Sequence, residues 1–214
     1  MPNICCPLCD SSLCHVFFSD KHRDYFRCRI CSLVFVASHQ HLSLAAEKAI
    51  YDLHQNHLND SGYQRFLSRL LEPMLNKLPK PASGLDFGCG SGPLLAEMFK
   101  QHGHQIKLFD PFYACQPQNL QQSYDFITCT EVVEHLREPK TSWHQLFAML
   151  KADGVLGVMT KLVIDAEAFA KWHYKNDPTH ISFYSRPTLN WLAKRYDYEL
   201  EIIGNDVILF TAKS

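Results

Sequence analysis

The feature that most constrains the fold of this chain is a loop at residues 86–92 in which three glycines stand at alternate positions, in the pattern D-x-G-x-G-x-G. The apolar segment 84–87 at its start is predicted to be a strand. Pro93, just after it, is predicted to open a helix, where its missing N–H costs nothing. Glycine lets the main chain turn tightly and lets a ligand come close to it. A loop of this kind between a strand and a helix predicts a ligand-binding turn in an α/β fold.

After this loop, the hydrophobic pattern alternates between strands and helices. The predicted elements, in chain order, are a helix to about residue 103, strands at 105–109 and 124–130, a helix at 140–150, a strand at 154–160, helices at 165–171 and 187–196, and a terminal hairpin of strands 199–203 and 207–212. An alternation that ends in a hairpin predicts an α/β fold with a mostly parallel sheet and one antiparallel strand at its end.

Two common phosphate-binding loops fit the spacing of the glycines poorly. A dinucleotide-binding loop has the pattern G-x-G-x-x-G, but here the third glycine stands one position early and Pro93 occupies its expected place. A P-loop requires Gly-Lys followed by Ser or Thr, which this sequence lacks. The spacing therefore favours another class of ligand.

The loop resembles motif I of the class I S-adenosylmethionine-dependent methyltransferases, and the resemblance extends over about residues 83–214. It implies a Rossmann-like sheet with S-adenosylmethionine as cofactor. Asp110 follows the strand at 105–109, where a carboxylate can hold the two ribose hydroxyls, although a lone aspartate at a strand end is commonly a turn residue. The cofactor-binding residues that the resemblance implies are Asp86, Gly88, Cys89, Gly90, Gly92, Asp110, Pro111, Phe112, Thr130 and Glu131.

The chain departs from the family pattern after Asp110. Only 13 residues separate Asp110 from Tyr124, where family members fit a helix, a third strand and an acidic residue that binds adenine. The sheet is therefore expected to be one strand short or to have a degenerate strand. Phe112 and residues 119–121 are the candidates for contact with the adenine.

A cluster of ionisable residues, Glu131-x-x-Glu134-His135, follows the strand at 124–130. If Glu131 begins a helical turn, Glu134 and His135 return to its side. Such a set suits a divalent ion such as magnesium or a general base. Similar segments hold a magnesium-type ion in quinone-precursor O-methyltransferases and small-RNA 2′-O-methyltransferases, and in other relatives they shape the pocket without a metal. Both interpretations stay open.

A later loop, Asp-Pro-Thr-His at residues 177–180, resembles a segment familiar in the methyltransferase superfamily. It follows the strand at 154–160 and is expected at the edge of the sheet where α/β folds bind ligands. His180 is thus a candidate base or acceptor-orienting residue, and the predicted catalytic set is His180, His135 and Glu131. Alternatively, Asp177 and Thr179 fix a turn and His180 is merely packed.

The N-terminal segment carries four cysteines, Cys6, Cys9, Cys28 and Cys31, in the pattern C-x2-C-x18-C-x2-C. This spacing predicts a four-thiolate zinc site, which leaves no position for water and would be structural. Zinc would also supply folding energy that so small a module lacks. The alternative is a set of unrelated reduced thiols. Cys5 and Cys14 are expected to be spectators, with Cys5 a conceivable substitute for Cys6.

The sequence predicts three parts: a zinc-ribbon-like module at 1–37, a helical connector or cap at 38–80, and a methyltransferase domain at 81–214. The connector is predicted to hold a helix at 42–57 and a second helix capped by Asp60. No apolar stretch is long enough to span a membrane, and the N-terminus does not resemble a signal peptide, so a cytoplasmic protein is expected.

The resemblance implies in-line methyl transfer from S-adenosylmethionine to an acceptor. A small-molecule acceptor is expected because the net charge of −1 gives no strong field for nucleic acid. One alternative is an RNA methyltransferase in which ribbon cations grip phosphates. A second is a non-catalytic protein that binds the cofactor. The cations considered for RNA are Lys21, Arg23, Arg27 and Arg29.

Overall fold

The computed structural model describes residues 4–53 and 60–213. Its strands and helices, in chain order, are β1 (Cys14–Ser19), β2 (Asp24–Cys28), β3 (Val34–Val36), α1 (Leu44–Tyr51), α2 (Ser61–Leu75), β4 (Ser83–Phe87), α3 (Leu94–Gln101), β5 (Gln105–Phe109), β6 (Tyr124–Thr130), α4 (Pro139–Ala148), β7 (Leu150–Met159), α5 (Ala166–Ala170), β8 (Ser182–Phe183), α6 (Arg186–Tyr196), β9 (Tyr198–Ile203) and β10 (Val207–Ala212). Within the described ranges, no helix is both long and apolar enough to cross a membrane.

The larger sheet has six strands in the order β5-β4-β6-β7-β10-β9. Neighbours among β5, β4, β6 and β7 pair in parallel, whereas β10 runs antiparallel to both of its neighbours. This arrangement confirms the predicted Rossmann-like class I sheet with an antiparallel strand in its C-terminal hairpin. β5 is an edge strand, and the short segment after it forms a 3₁₀ helix, Pro117–Gln121, in place of a further strand.

Helices cover both faces of this sheet because side chains alternate between its faces along each strand. On one face, Leu70 of α2 and Phe99 of α3 pack with Phe126 of β6. On the other face, Trp143 of α4 packs with Phe210 of β10. Full burial of such side chains stabilises the fold by about 1.5–3 kcal/mol each.

Helix α2 lies directly on the larger sheet, although the sequence assigned it to the 38–80 connector. A Cβ at Gly157 of β7 would stand 2.3 Å from the sulfur of Met74 and 3.0 Å from Leu70. Only glycine therefore allows α2 to approach the strand so closely. α2 therefore shares the core of the larger sheet.

The smaller sheet joins the two ends of the chain. Its order is β1-β2-β3-β8, and β8 pairs with β3 through Val34–Phe183 and Phe35–Ser182. The rings of Tyr25, Phe169 and Phe183 meet edge to face beneath it. The N-terminal segment is thus held to the rest of the chain by main-chain bonds and by a shared aromatic core.

Several elements differ in length from the sequence prediction. The helix predicted at 42–57 is seen as α1, Leu44–Tyr51, and its predicted residues 54–57 lie outside the described residues. β7 begins at Leu150, before the predicted 154, because its N-terminal part extends alongside β6. Ser185 caps α6 as predicted, accepting a hydrogen bond from the Thr188 N–H at 3.3 Å.

Candidate functional site

A cavity of about 500 Å³ opens where β4, β5 and β6 end, at the edge where open α/β sheets bind ligands. A narrow pocket beside Asp86 and Gly92 adjoins it. The predicted motif and catalytic residues line one or both of these spaces, whereas the adenine candidates at 119–121 are not among the lining residues. The motif and catalytic residues are Asp86, Gly88, Cys89, Gly90, Gly92, Asp110, Pro111, Phe112, Thr130, Glu131, His135 and His180.

The glycine loop needs glycine at two positions for two different reasons. Gly88 has φ of +76°, and a Cβ there would stand 2.4 Å from a methyl carbon of Val132. Gly90 has φ of +63°, and a Cβ there would meet no atom of the described residues within 4 Å. Gly88 therefore lets two loops touch, whereas Gly90 leaves space at the cavity wall for a ligand.

Asp110 binds both loops that border the cavity. One carboxylate oxygen accepts a hydrogen bond from the Gly90 N–H at 3.0 Å. The other accepts from the N–H groups of Phe112 at 2.8 Å and Tyr113 at 3.0 Å. An ionised carboxylate has about four lone-pair sites, so Asp110 can act as a turn residue and still accept a ligand hydroxyl.

Asp86 is buried under the glycine loop and accepts a hydrogen bond from the Thr128 hydroxyl at 2.7 Å. Burial, together with the nearby charge of Asp110, raises the pKa of Asp86 to about 6. The hydroxyl of Thr130, at the end of β6, is buried and has no hydrogen-bond partner among the described residues. A polar ligand at this point would satisfy both groups.

Glu131 does not begin a helical turn, contrary to the sequence prediction. Its φ is +52°, and the next turn is a 3₁₀ helix at Val133–His135. The reason is that the chain bends sharply after β6 so that Val132 packs against Gly88. Glu131 consequently faces the cavity, while Glu134 points into the protein.

Tyr174, which the sequence analysis did not single out, lies between these two glutamates. Its hydroxyl donates a short hydrogen bond to Glu134 Oε1 and lies 3.4 Å from Glu131 Oε2. The other oxygen of Glu134 is buried without a hydrogen-bond partner among the described residues. Burial raises the pKa of both glutamates, and their mutual repulsion adds to the effect at Glu131.

The structure brings together a different candidate metal set from the predicted Glu131–Glu134–His135. One ligand atom each from Glu134, His135 and His180 lies within 4.8 Å of the others. The Nδ1 atoms of the two rings lie 3.2 Å from the carbonyl of Thr179 and 2.7 Å from that of Tyr174. Since a carbonyl only accepts, a neutral ring in this position donates from Nδ1 and carries its lone pair on Nε2.

The charge state of His180 follows from its surroundings. Burial, followed by the nearby His135, lowers the pKa of His180 to about 4. The ring is therefore neutral at pH 7, as both a metal ligand and a proton acceptor must be. The unperturbed value of about 6.5 that the sequence suggests does not apply to it.

The four N-terminal cysteines lie together. Sγ of Cys6 is 3.4 Å from that of Cys31, and Sγ of Cys9 is 3.5 Å from that of Cys28. All four sulfurs lie within 4.8 Å of one another. Zn–S bonds of about 2.3 Å in a tetrahedron place sulfurs about 3.8 Å apart, so the donor set fits a zinc ion. A hydrogen bond from Cys31 lowers the pKa of Cys6 to about 6.

The two remaining N-terminal cysteines lie outside this cluster. Cys5 is exposed, and the Cys14 thiol lies 3.4 Å from the carbonyl of Ser11 as a hydrogen-bond donor. The Cys14 sulfur is not among the four that lie within 4.8 Å of one another, and burial raises the pKa of its thiol to about 12.

Comparison with known proteins identifies a family whose profile matches this chain. The profile of a family described as a methyltransferase domain matches residues 59–202, which is more than half of the chain. A search of curated protein sequences found no match.

Solved structures share the fold. The chain is similar to CalO1, a methyltransferase in calicheamicin biosynthesis in its SAH-bound form, with a TM-score of 0.53 and 14% identity over 79% of this chain and 59% of CalO1. It is also similar to the 1,6-didemethyltoxoflavin-N1-methyltransferase of Burkholderia thailandensis, with a TM-score of 0.54 and 15% identity over 92% of this chain and 98% of that protein. The chain thus spans 59% of the length of the first relative and almost all of the second. At these identities the likeness shows the fold alone.

Proposed function

The chain belongs to the methyltransferase domain family. On this premise we propose that it transfers a methyl group from S-adenosylmethionine to a small molecule without negative charge. The observation that carries this proposal is the cavity of about 500 Å³, bordered on one side by the glycine loop and on the other by Glu131, His135 and His180. Pockets for small ligands have volumes of about 300–1,000 Å³. When bound, S-adenosylmethionine supplies an electrophilic methyl group on a positively charged sulfur.

We assign the cofactor to the glycine-loop side of the cavity. Asp86 and the main chain at Gly88 and Gly90 would hold its amino-acid end, since Asp86 is buried behind that loop. Asp110 would accept from the ribose hydroxyls with its remaining lone pair. Phe112, beside the Asp110 turn, is the candidate wall for the adenine.

The charges of the cavity wall favour a neutral or cationic acceptor. Among the described residues that line it, Glu47, Asp110, Glu131 and Asp177 are acidic and none is Lys or Arg. Glu47 is neutralised by Arg137 at 2.5 Å, which leaves three carboxyl groups facing the space. Burial raises the pKa of Glu131, so the charges that would repel a phosphate or carboxylate on the acceptor are those of Asp110 and Asp177.

The contacts of the N-terminal cations argue against RNA as the acceptor. Arg23, one of the cations considered for RNA, donates hydrogen bonds to carbonyl groups of this chain. The guanidinium of Arg27 lies 5.7 Å from the centre of the Phe17 ring. Two of the four cations are therefore engaged within the protein.

Two groups could take a proton from the acceptor. His180 is neutral and carries a lone pair on Nε2. Burial raises the pKa of Glu131, at the end of β6 on the cavity wall, so this group would serve as a base only where the positive sulfur of the bound cofactor favours its carboxylate form. A divalent ion at Glu134, His135 and His180 is the second candidate for activating a hydroxyl acceptor, because Glu134 has a buried oxygen without a partner among the described residues. Two imidazoles and one carboxylate suit a first-row transition ion better than magnesium, which prefers oxygen ligands.

We further propose that Cys6, Cys9, Cys28 and Cys31 hold a structural zinc ion, as their distances support. The predicted division at 1–37, 38–80 and 81–214 stays a proposal about how the chain is organised, with α2 assigned to the core of the larger sheet.

The test is methyl transfer from labelled S-adenosylmethionine into fractionated cell extract, divided into small molecules, RNA and protein. We expect label in the small-molecule fraction, and within it in compounds that an anion exchanger does not retain. Gly90→Val, which blocks the cavity wall, serves as the inactive control. Label in RNA or protein alone would contradict the proposal, and tight cofactor binding with no label in any fraction would indicate the non-catalytic alternative.

A further inference from the structure

We propose that Arg23, in the turn between β1 and β2, is a positioning residue that fixes the acceptor-side loop 173–181 and with it His180. The inference rests on the proposed function, in which His180 faces the acceptor. It gives the N-terminal hairpin a role in methyl transfer that does not involve binding nucleic acid.

The guanidinium of Arg23 binds four carbonyl groups of this one loop. Its Nη1 donates to the carbonyl oxygens of Pro178 at 3.2 Å and His180 at 2.9 Å. Its Nη2 donates to the carbonyl of Asp177 at 3.0 Å and forms a short hydrogen bond to that of Lys175. A guanidinium has five N–H donors in one plane, so it can bind several carbonyl groups of one irregular loop at once.

This loop has few regular partners of its own. It consists of a 3₁₀ helix, His173–Asn176, and a turn in which the His180 N–H donates to the Asp177 carbonyl at 3.2 Å. Pro178 has no N–H to contribute. Arg23 therefore provides, from another part of the chain, the hydrogen bonds that a strand or helix would provide within itself.

A second contact holds the same two segments together. Lys175 Nζ lies 3.2 Å from Asp20 Oδ2, with only 7% and 20% of the two side chains exposed. The hydroxyl of Tyr25 donates to the Lys175 carbonyl at 3.2 Å. Asp20 also accepts from the Arg23 N–H at 2.9 Å, which sets the turn from which the guanidinium reaches the loop.

The position of His180 follows from that of its loop. Its ring is fixed by the Tyr174 carbonyl at 2.7 Å, and its centre lies 4.7 Å from the centre of the His135 ring. A shift of about 1 Å in such a group can lower a rate by about a hundredfold. Loss of Arg23 should therefore reduce catalysis while the cofactor side, built on β4 and β5, is unchanged.

The hairpin also leads to the cysteine cluster. β2 runs from Asp24, next to Arg23, to Cys28, the third thiolate, over about 13 Å at about 3.3 Å per residue. Cys28, at one end of this strand, would bind zinc, and Arg23, just before its other end, binds the acceptor-side loop.

The experiment compares Arg23→Ala and Arg23→Lys with Lys21→Ala, which removes an exposed cation from the same turn. The readouts are amide hydrogen exchange of residues 173–181, the imidazole NMR signals of His180, the Kd for S-adenosylhomocysteine, and methyl transfer. In Arg23→Ala we expect faster exchange confined to this loop, shifted His180 signals, and a rate about tenfold or more lower, with cofactor affinity and metal content unchanged. Arg23→Lys should restore part of each change, and Lys21→Ala should resemble the wild type.

Unchanged exchange and unchanged His180 signals in Arg23→Ala would overturn the proposal. So would a general loss of stability, cofactor binding and metal in both Arg23 variants, because Arg23 would then support the fold as a whole. Exchange and imidazole signals are measured without an acceptor. A failure of the proposed function alone therefore shows as absent transfer in the wild type, with the loop-specific changes in Arg23→Ala still present.

Discussion

The main-chain N–H of Gly90 donates a hydrogen bond to the Asp110 carboxylate, 3.0 Å away. This bond joins the loop after β4 to the turn after β5, and the N–H groups of Phe112 and Tyr113 bind the same carboxylate. Asp110 is therefore as much a part of the framework of the cavity as of its surface. A substitution there should affect the cofactor both directly and through the glycine loop.

Asp110→Ala should weaken binding of S-adenosylmethionine and of its demethylated product by about 1–3 kcal/mol, through lost hydrogen bonds to a charged acceptor. Titration calorimetry measures this. Asp125→Ala is the matched control, because Asp125 accepts from Ser83 and Lys151 outside the cavity. Equal affinity in Asp110→Ala and the wild type would contradict a role for Asp110 in the cofactor site.

Gly90→Val should abolish cofactor binding, because its side chain would occupy the open cavity wall. Gly103→Val is the control: Gly103 also has positive φ, at +85°, and also has open space around its Cβ position, but it follows α3 away from the cavity. Each variant should lose about 1–2 kcal/mol of stability from the strained left-handed conformation. Only Gly90→Val should fail to show a thermal shift with ligand, and a shift in both variants would contradict this.

The sequence predicts the parts of this structure that depend on local spacing. The strand at 124–130, the glycine loop and the Ser185 cap follow from patterns within a few residues. The bend at Glu131 does not, because it comes from Val132 packing on Gly88 in a loop far away in the chain.

Long-range pairing explains what else sequence analysis missed. β8 has two residues and joins the N-terminal sheet through β3, which no local pattern encodes. Arg23 could be recognised as a cation, but its carbonyl partners lie about 150 residues later, and only the fold brings them together. The two cysteines of each pair, by contrast, are only three residues apart, and this local spacing was enough to predict that the four cluster.

Protein purified without added zinc should contain about one equivalent of zinc per chain. Cys28→Ser should lose it and loosen the N-terminal sheet, while the larger sheet stays folded. Cys115→Ser, at an exposed cysteine outside the cluster, should keep the metal. Elemental analysis with thiol counting decides the matter, and four reduced, metal-free thiols at the cluster positions would disprove the site.

The affinity for S-adenosylmethionine should rise with pH more steeply than the affinity for S-adenosylhomocysteine. Burial raises the pKa of Glu131, so this carboxyl retains its proton to higher pH in the free protein. A sulfonium nearby favours the ionised form, and binding then releases a proton, whereas the neutral sulfur of the product has no such effect. Calorimetry of both ligands between about pH 5 and pH 8 tests this. Glu131→Gln should remove the difference, and parallel pH profiles in the wild type would contradict it.

The burial of Asp86 should make the free energy of unfolding of the ligand-free protein depend on pH. The pKa of Asp86 is raised in the folded state, from 3.8 to about 6, so the folded state binds more protons than the unfolded state in that interval. The contribution of Asp86 to the free energy of unfolding is therefore complete below pH 3.8 and is lost as pH rises to about 6. Denaturant unfolding of the wild type and Asp86→Asn measures it. The wild type should lose stability relative to the variant across this interval, and a constant difference would contradict the burial.

Replacing both His135 and His180 by Ala should lower methyl transfer by about a hundredfold or more, with little change in cofactor affinity. Both rings border the acceptor side of the cavity, whereas the cofactor contacts lie on the glycine loop and Asp110.

If Glu134 and the two rings hold a divalent ion, chelators should stop the reaction and manganese or magnesium should restore it. If His180 acts as a base without metal, chelators should have no effect, and the rate should show no rise near pH 6.5, because the lowered pKa of His180, about 4, keeps its ring neutral across that range. His144→Ala, at an exposed histidine on α4, is the control and should behave as the wild type. Unchanged turnover in the double variant would exclude both mechanisms and leave the two histidines with a packing role.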